Sequence, residues 1–315
     1  MNKYDKKYKQ TQLRILKDLE NIYGNLVDDL VISASLVSIS DKEYFLFKNH
    51  PVLKKKADDL INKINIRLFL YVNNRTSEVW ALSNEKNDAL VDQVFTQRNK
   101  VAPVRLKSHN GEALKSFKES KIKGLTLSDR VWNSNANLRA ELESSLNAAL
   151  DKGRSAKSLA RDIKKYLNNP DMRFRKVRDK FGNLKPSKNA LQYNPGVGKY
   201  RSSYQNALRL ARTEINRAYR EADWQRWQTL PFVVGYRIIN SERKATVCPV
   251  CRDLAGIYPK SFKFIGWHPQ CLCHCIAIMC SDSDMDKIID GQDIKLSQPP
   301  MPKEYVEYTE KQSNE

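Results

Sequence analysis

The residues best suited to chemistry in this 315-residue chain are cysteines and histidines gathered near its C-terminus. All six cysteines lie within residues 248–280, and His268 and His274 fall in the same window. A disulfide framework would distribute cysteines through the fold, whereas a metal site gathers them. We therefore expect a bound metal ion and a reducing compartment.

Two short turns carry the strongest candidate ligands. One is Cys248-Pro-Val-Cys251 and the other, sixteen residues further on, is His268-Pro-Gln-Cys271-Leu-Cys273. Two such turns can close a tetrahedral shell of sulfur and nitrogen ligands, the arrangement that zinc takes in structural sites. We predict zinc bound by Cys248, Cys251, His268 and Cys271, with Cys273 a close alternative to Cys271. Such a closed site stabilises a subdomain without catalysing a reaction.

Catalytic sites fit the sequence less well. A nucleic-acid deaminase needs His-x-Glu upstream of its cysteines and a zinc protease needs His-Glu-x-x-His, and the sequence contains neither pattern. Residues 193–200 resemble a phosphate loop but carry Tyr at both diagnostic ends. We expect Cys275 and Cys280 to be small buried residues of a strand. The chain is predicted to be no enzyme, although a carboxylate-based nuclease stays open.

Positive charge is concentrated in one segment. The chain has 55 Lys and Arg, 36 Asp and Glu, a net charge of +19 and a mean hydropathy of −0.63. Residues 152–220 hold 19 of the basic and only four of the acidic residues, hence +15 of the +19. Such concentration favours a polyanionic partner, with a merely solvated cationic face as the alternative.

A helix predicted from about Tyr204 to Gln228 carries arginines beside its apolar face. These arginines are Arg209, Arg212, Arg217 and Arg220. Several guanidinium groups on a rigid element suit the phosphates of a nucleic acid, whose counterions they displace. We predict contact with DNA through these four residues, without sequence specificity.

The remaining elements are predicted to be mostly helical. An amphipathic helix is expected over 10–39, and two more over 57–71 and 77–95, separated at Asn73-Asn74; residues 64–70 also alternate like a strand. A strand over 232–239 leads into the cysteines. The apolar stretch 26–39 is broken by two aspartates, so we expect no membrane span. No apolar run follows the basic N-terminus, so we expect no secretory signal.

The fold class expected from these patterns is mainly α, with a helical N-terminal region, a helical hairpin and a small zinc-bound α+β module near the C-terminus. We expect the region 170–200 to be a surface excursion, with a hairpin as one option, that is mobile without a partner. The predicted divisions are an N-terminal helical region (1–100), a linker (101–124), the helical hairpin and basic helix with that excursion (125–230), the zinc-binding module (231–281) and a disordered tail (282–315).

Three motifs in this order resemble the Mu protein F-like family of tailed-phage minor head, or head morphogenesis, proteins. They are Ala211-Arg-Thr-Glu-Ile-Asn-Arg-Ala-Tyr219, then Cys248-x-x-Cys251 with Asp253 and Ala255-Gly256, then His268-Pro-x-Cys271-x-Cys273. The stretch Leu127–Trp132 and residues up to Ala160 are similar as well. The resemblance covers about 125–279. Leu272 replaces the arginine usual between the last two cysteines, and Cys275 is additional.

The resemblance implies a low-copy structural protein that associates with the phage portal and is packaged in the head, where DNA is its neighbour. It implies a location in the virion, or in the host cytoplasm during assembly. Arg212 and Glu214 are expected to form an ion pair that holds the zinc module to the hairpin, and not a catalytic pair. The alternatives are a metal-dependent nuclease or phage-encoded effector, and a cellular zinc-stabilised DNA-binding protein.

Overall fold

The computed structural model describes residues 2–34, 45–150, 156–169, 172, 176–178, 180–186, 202–240 and 248–313. In this part of the chain, helices dominate and a small antiparallel sheet lies near the C-terminus, which confirms that part of the predicted fold class. None of the helices in these ranges is both long and apolar enough to cross a membrane.

The described secondary structure is as follows. The helices are α1 (Lys3–Ala34), α2 (Pro51–Thr96), α3 (Gly111–Glu119), α4 (Leu127–Ser134), α5 (Leu138–Leu150), α6 (Ala156–Asn168), α7 (Ser203–Thr229), α8 (Pro249–Asp253), α9 (Asp282–Ile289) and α10 (Lys303–Ser313). The strands are β1 (Lys176–Arg178), β2 (Leu184–Pro186), β3 (Val233–Ile239), β4 (Gly256–Pro259) and β5 (His274–Met279). Two 3-10 turns occupy Phe47–Asn49 and Val104–Lys107.

The chain divides into two compact units, and the division falls inside helices. The cysteine unit comprises Met1–Lys9, Asn73–Ser120 and Arg212–Glu315, and the helical unit comprises Gln10–Val72 and Lys121–Ala211. Helices α1, α2 and α7 therefore each contribute residues to both units. The predicted boundaries instead followed changes in composition along the sequence.

The two helices predicted on either side of Asn73-Asn74 are one helix, α2, so the predicted break is wrong. The hydroxyls of Thr76 and Ser77 donate to the carbonyl of Asn73 at 2.7 and 3.2 Å, within the continuous helix. Asparagine costs only about 0.7 kcal/mol in a helix interior, less than the buried side chains around it can supply. The strand alternative for 64–70 also fails, because Ile64 is buried and Ile66 is exposed as a helix requires.

The interior of the helical unit combines apolar side chains with a buried polar chain. Leu138, Leu142 and Leu146 are buried along α5, as their spacing predicts, but Trp132 is 48% exposed. The Tyr23 hydroxyl donates to Asn135 Oδ1 at 2.6 Å, and the Asn135 amide donates to Asn65 Oδ1 at 2.7 Å. These three buried polar side chains therefore satisfy one another within the unit.

The predicted helical hairpin is present as α5 packed on α6, but α4 precedes it as a separate helix. Helix α4 begins with a capping box in which Thr126 and Asp129 bond each other's backbone N–H groups. Residues Gly153 and Ser155, expected in the turn of the hairpin, lie outside the described residues. In the 170–200 excursion, β1 and β2 pair as an antiparallel hairpin; most of the other residues lie outside the description.

The sheet of the cysteine unit has the order β4-β3-β5, all antiparallel, and β3 confirms the predicted strand. Its central strand places Tyr236 between Tyr258 and Ala277. Gly235 is required because a Cβ there would lie 2.5 Å from the carbonyl oxygen of Tyr258 and 2.7 Å from Pro299 Cγ. A segment of the C-terminal tail thus lies directly against the sheet.

The tail is ordered over 282–313, so the prediction of disorder for 282–315 is wrong across the described residues. Helix α9 buries Met285, and Arg98 bonds Asp286 at 2.6 Å and Asp282 at 2.9 Å. Tyr305 of α10 lies against the ring of Phe262, with centroids 4.9 Å apart. The polar, proline-rich composition of the tail suggested disorder, although a few apolar residues such as Met285 and Tyr305 pack against the rest of the unit.

The predicted linker is also structured. Residues 101–124 contain a 3-10 turn and α3, and Leu106 in that turn is buried. The buried guanidinium of Arg226 donates to the carbonyls of Ser108 and Leu106 at 2.5 and 2.9 Å. The segment is held through its backbone carbonyls, so its shortage of large apolar side chains was misleading.

Candidate metal centre

The first turn of the site is built on the start of α8. Cys248 is the N-cap of this helix and its Sγ accepts a hydrogen bond from the backbone N–H of Cys251 at 3.2 Å. Pro249 occupies the first helical turn, where its fixed φ is favourable. Cys248 is half-buried and Cys251 is buried, and both Sγ atoms approach the same imidazole.

The second turn precedes β5. The backbone N–H of Cys271 donates to the carbonyl of His268 at 3.1 Å, which closes the turn, and Gln270 inside it has a φ of 63°. Gly266, at the approach to the turn, has a φ of 114°. This backbone path exposes His268 and buries Cys271 and Cys273.

The side chains of both turns converge. Nε2 of His268 lies 3.1 Å from Cys248 Sγ and 3.0 Å from Cys251 Sγ, and Cys251 Sγ lies 3.8 Å from Cys271 Sγ. A tetrahedral shell with Zn–S bonds sets its sulfurs about 3.8 Å apart and its nitrogen about 3.5 Å from each sulfur. The sulfur pair matches this value and the imidazole is slightly closer.

The convergent atoms form two overlapping groups. Cys248, Cys251 and His268 make one, and Cys251, Cys271 and Cys273 make the other, with the ligand atoms of each group within 4.8 Å of one another. All five predicted ligands therefore come together, and this cluster could hold a metal ion. Cys251 is common to both groups. The choice between Cys271 and Cys273 as fourth ligand stays a prediction, because both belong to the same group.

The remaining cysteines lie apart from these groups. Cys275 is buried on β5 and Cys280 is half-buried just after that strand. Neither belongs to a metal-binding group among the residues that the structure describes. Cys275 agrees with the expectation of a small buried residue on a strand, whereas Cys280 is only half-buried and follows the strand.

Electrostatics favour a thiolate within the second group. A hydrogen bond from the Cys273 thiol lowers the pKa of Cys271, and the positive charge of Arg220 acts in the same direction against burial. The same hydrogen bond, with burial, raises the pKa of Cys273, and burial raises that of Cys251. Negative charge is thus best accommodated on Cys271, beside a guanidinium.

Arg220 of α7 binds the backbone of the second turn from inside the protein. Its guanidinium donates to the carbonyl of Cys271 at 2.6 Å, to that of Cys273 at 2.8 and 3.2 Å and to that of Ile265 at 3.0 Å. It also lies 4.9 Å from the ring centroid of Phe264. The side chain is 5% exposed, so the prediction that Arg220 contacts DNA is wrong.

Three further residues of α7 bind the same turn. Asn216 Nδ2 donates to the carbonyl of Cys271 at 2.8 Å, Thr213 Oγ1 accepts from the N–H of Gln270 at 3.1 Å, and Arg212 Nη1 donates to Gln270 Oε1 at 3.3 Å. Their spacing places 212, 213, 216 and 220 on one face of the helix. Sequence analysis missed the roles of Thr213 and Asn216, although the shared helical face was a usable signal.

The other predicted DNA-contacting arginines are half-buried. Arg217 bonds Glu214 at 3.2 Å and lies 5.5 Å from the ring of Phe117. Glu214 therefore has Arg217 as a bonded partner, and the expected pair with Arg212 stays a prediction. Arg209 is half-buried, and every residue from 202 to 227 is at least partly buried. The burial of Arg220 removes one member of the predicted arginine row, and DNA contact by the half-buried Arg209, Arg212 and Arg217 stays a prediction.

Comparisons with protein-family models, with curated proteins and with solved structures find no match to this chain. The function has to be argued from the site itself. The site is a cluster of cysteines and a histidine, and the second turn of this cluster is hydrogen-bonded to one face of α7.

Proposed function

We propose that this chain is a structural, non-enzymatic component of a tailed-phage head, of the minor head type, whose cysteine unit is held together by a zinc ion. Its partners are then the phage portal protein and packaged DNA, and its location is the virion. The observation that carries the proposal is the bonding of α7 to the His268–Cys273 turn.

That bonding gives a physical reason for motifs that are far apart in sequence to occur together. The Ala211–Tyr219 motif supplies Arg212, Thr213 and Asn216, and each of them bonds the turn between His268 and Cys273. Two of the motifs that carry the resemblance to the minor head family thus bond each other in the folded chain. This supports the proposal that the chain shares a scaffold with that family.

Zinc suits the donors present. Thiolates and imidazole are its usual ligands in structural sites, and the Cys251–Cys271 sulfur separation equals that of a tetrahedral shell. Cys248, Cys251, His268 and one or both of Cys271 and Cys273 would hold the ion. Because protein donors alone can complete the shell, no position is reserved for a substrate, which supports a structural role.

Metal analysis of the purified full chain tests the zinc. We expect about one zinc per chain. Cys251→Ser should remove most of it, because this residue belongs to both ligand groups, whereas the matched control Cys275→Ala should retain it. Cys271→Ser and Cys273→Ser, compared in the same assay, identify the fourth ligand. Full zinc occupancy in Cys251→Ser would contradict the proposed site.

Co-purification tests the assembly role. Expressed together with the portal protein encoded in the same genome, the chain should elute with the portal ring. Elution apart from the ring at every salt concentration would contradict the role in the head. Incubation with plasmid and Mg²⁺ or Mn²⁺ should leave the plasmid uncut; nicking by the wild type that Cys251→Ser abolishes would show an enzyme instead.

A further inference from the structure

Helix α6 presents a row of cations to solvent. Lys157, Arg161 and Lys165 are exposed and stand four residues apart, one cation per helical turn. The row extends for about 12 Å along the helix, at a rise of about 1.5 Å per residue, and turns by about 40° around the helix axis at each step. The opposite face packs inside the helical unit through three buried residues, Ala160, Ile163 and Leu167.

One acidic side chain lies beside this row. It is Asp162, which is half-buried and stands three residues, or about 60° around the helix, from Lys165. Lys164 lies beside the row and is paired with Asp28 at 2.7 Å. The exposed face therefore carries net positive charge in a fixed, rigid arrangement.

A second exposed cationic element follows closely in the chain. In the β1–β2 hairpin, Arg178, Lys180 and Lys185 are exposed, and Phe181 is 75% exposed with Lys180 Nζ 4.9 Å from its ring. The hairpin belongs to the same compact unit as α6 and is a second cationic surface there.

Helix α2 shows what an ordinary solvated face looks like in the same unit. Lys55, Asp59, Lys63 and Arg67 are exposed at the same four-residue spacing, but a carboxylate occupies one of the four positions. The row on α6 has no such compensation. Repulsion between its cations would be relieved by a polyanion.

We propose that the exposed face of α6, together with the β1–β2 hairpin of the same unit, binds the phosphate backbone of double-stranded DNA. A rigid row of cations suits a stiff duplex, since a flexible single strand is usually bound by stacking its bases on several aromatic rings. The inference rests on the DNA contact within the proposed function and moves that contact away from α7, whose predicted arginines are buried or half-buried.

The test is fluorescence anisotropy of a labelled DNA duplex titrated with the full chain over a series of salt concentrations. Replacing Lys157, Arg161 and Lys165 together by Gln should lower affinity about tenfold or more, and should lower the slope of log K against log salt by about 2.7. The matched control replaces Lys55, Lys63 and Arg67 by Gln, which removes the same charge. We expect its affinity and slope to remain near those of the wild type.

The outcomes separate the inference from the proposed function. Equal losses in both triple variants would show that net charge alone drives binding, and would overturn the assignment to α6. Wild-type binding that the α6 variant retains would also overturn it, while leaving DNA contact elsewhere on the protein. No binding by the wild type would overturn both. If the triple variant is poorly folded by circular dichroism, Arg161→Gln alone should lower the slope by about 0.9.

Discussion

Helices α6 and α7 lie in the same basic segment of sequence and use their cations in opposite ways. On α6, Lys157, Arg161 and Lys165 are exposed, whereas on α7 Arg220 and Arg226 are 5% and 2% exposed. This buried pair donates to backbone carbonyls of the cysteine unit, and Arg226 donates to the Asp88 carboxylate as well. A count of charges along the sequence therefore does not locate a cationic surface.

The difference follows from what surrounds the cations. In α6 the cations and a single apolar stripe occupy opposite faces, so the helix has one buried face and one solvent-exposed face. In α7 four buried alanines, at 207, 211, 218 and 222, permit close packing along one face, and every residue from 202 to 227 is at least partly buried. Arginines placed there are enclosed, and an enclosed guanidinium must find acceptors.

The largest effect that this comparison predicts is for Arg220→Met. The change leaves the carbonyls of Ile265, Cys271 and Cys273 without these donors, and should lower the free energy of unfolding by about 3 kcal/mol in a urea titration. Arg220→Lys keeps the charge but has fewer donors in a fixed plane, so it should lose about half as much. If the unfolding free energy of Arg220→Met stays within 1 kcal/mol of the wild type, Arg220 contributes no more to stability than an exposed cation does, and the comparison fails.

Gly266→Ala tests the same contact from the other side and should cost about 2 kcal/mol. A Cβ at this position would lie 2.6 Å from Arg220 Nη1, on a backbone with a φ of 114°. Gly124→Ala is the matched control, because Gly124 has a φ of 79° but no atom within 4 Å of such a Cβ. It should cost about 1 kcal/mol, from backbone strain alone.

A double-mutant cycle makes the Gly266 result specific. If the guanidinium is the obstacle, Gly266→Ala should cost less in the Arg220→Met background than in the wild type, with a coupling of at least about 0.5 kcal/mol. Additive costs in urea unfolding would mean that the alanine acts through its φ and not through Arg220.

Asn216→Ala should have a smaller effect, about 1.5 kcal/mol in the same urea titration. Asn216 donates to the carbonyl of Cys271 at 2.8 Å and accepts from the Tyr8 hydroxyl at 2.6 Å. Burial raises the pKa of Tyr8 above its usual value, so that hydroxyl stays protonated and remains a donor. Tyr8→Phe should cost about 1 kcal/mol, and should add almost nothing once Asn216 is Ala.

The cysteine cluster was predictable because cysteine and histidine are recognisable metal ligands and stand at short spacing in the sequence. Five such residues converge in the structure: Cys248, Cys251, His268, Cys271 and Cys273. The partners of Arg220 could not be found in this way. They are backbone carbonyls, which every residue has, and only the folded turn brings three of them to one guanidinium.

The order of the tail and the continuity of α2 were missed for a related reason. Composition around Asn73-Asn74 and beyond Cys280 resembles that of a turn and of a disordered segment. Tertiary contacts override such local preferences, as Pro299 on Gly235 and Tyr305 on Phe262 do for the tail. The spacing of residues along the sequence predicted an element correctly where that spacing determines its packing. It failed where a few contacts between residues distant in sequence hold the element in place.

The smallest predicted change in stability is for the variant that should lose the most DNA affinity. Replacing Lys157, Arg161 and Lys165 by Gln removes exposed charges that repel each other at four-residue spacing, each such pair costing about 0.2–0.5 kcal/mol. Lys165 near the C-terminal end of α6 is favourable for the helix dipole, so part of that gain is lost. Urea unfolding should therefore stay within about 0.5 kcal/mol of the wild type. A loss above 1 kcal/mol would mean that these cations, like those of α7, hold the fold together, and the contrast between the two helices would fail.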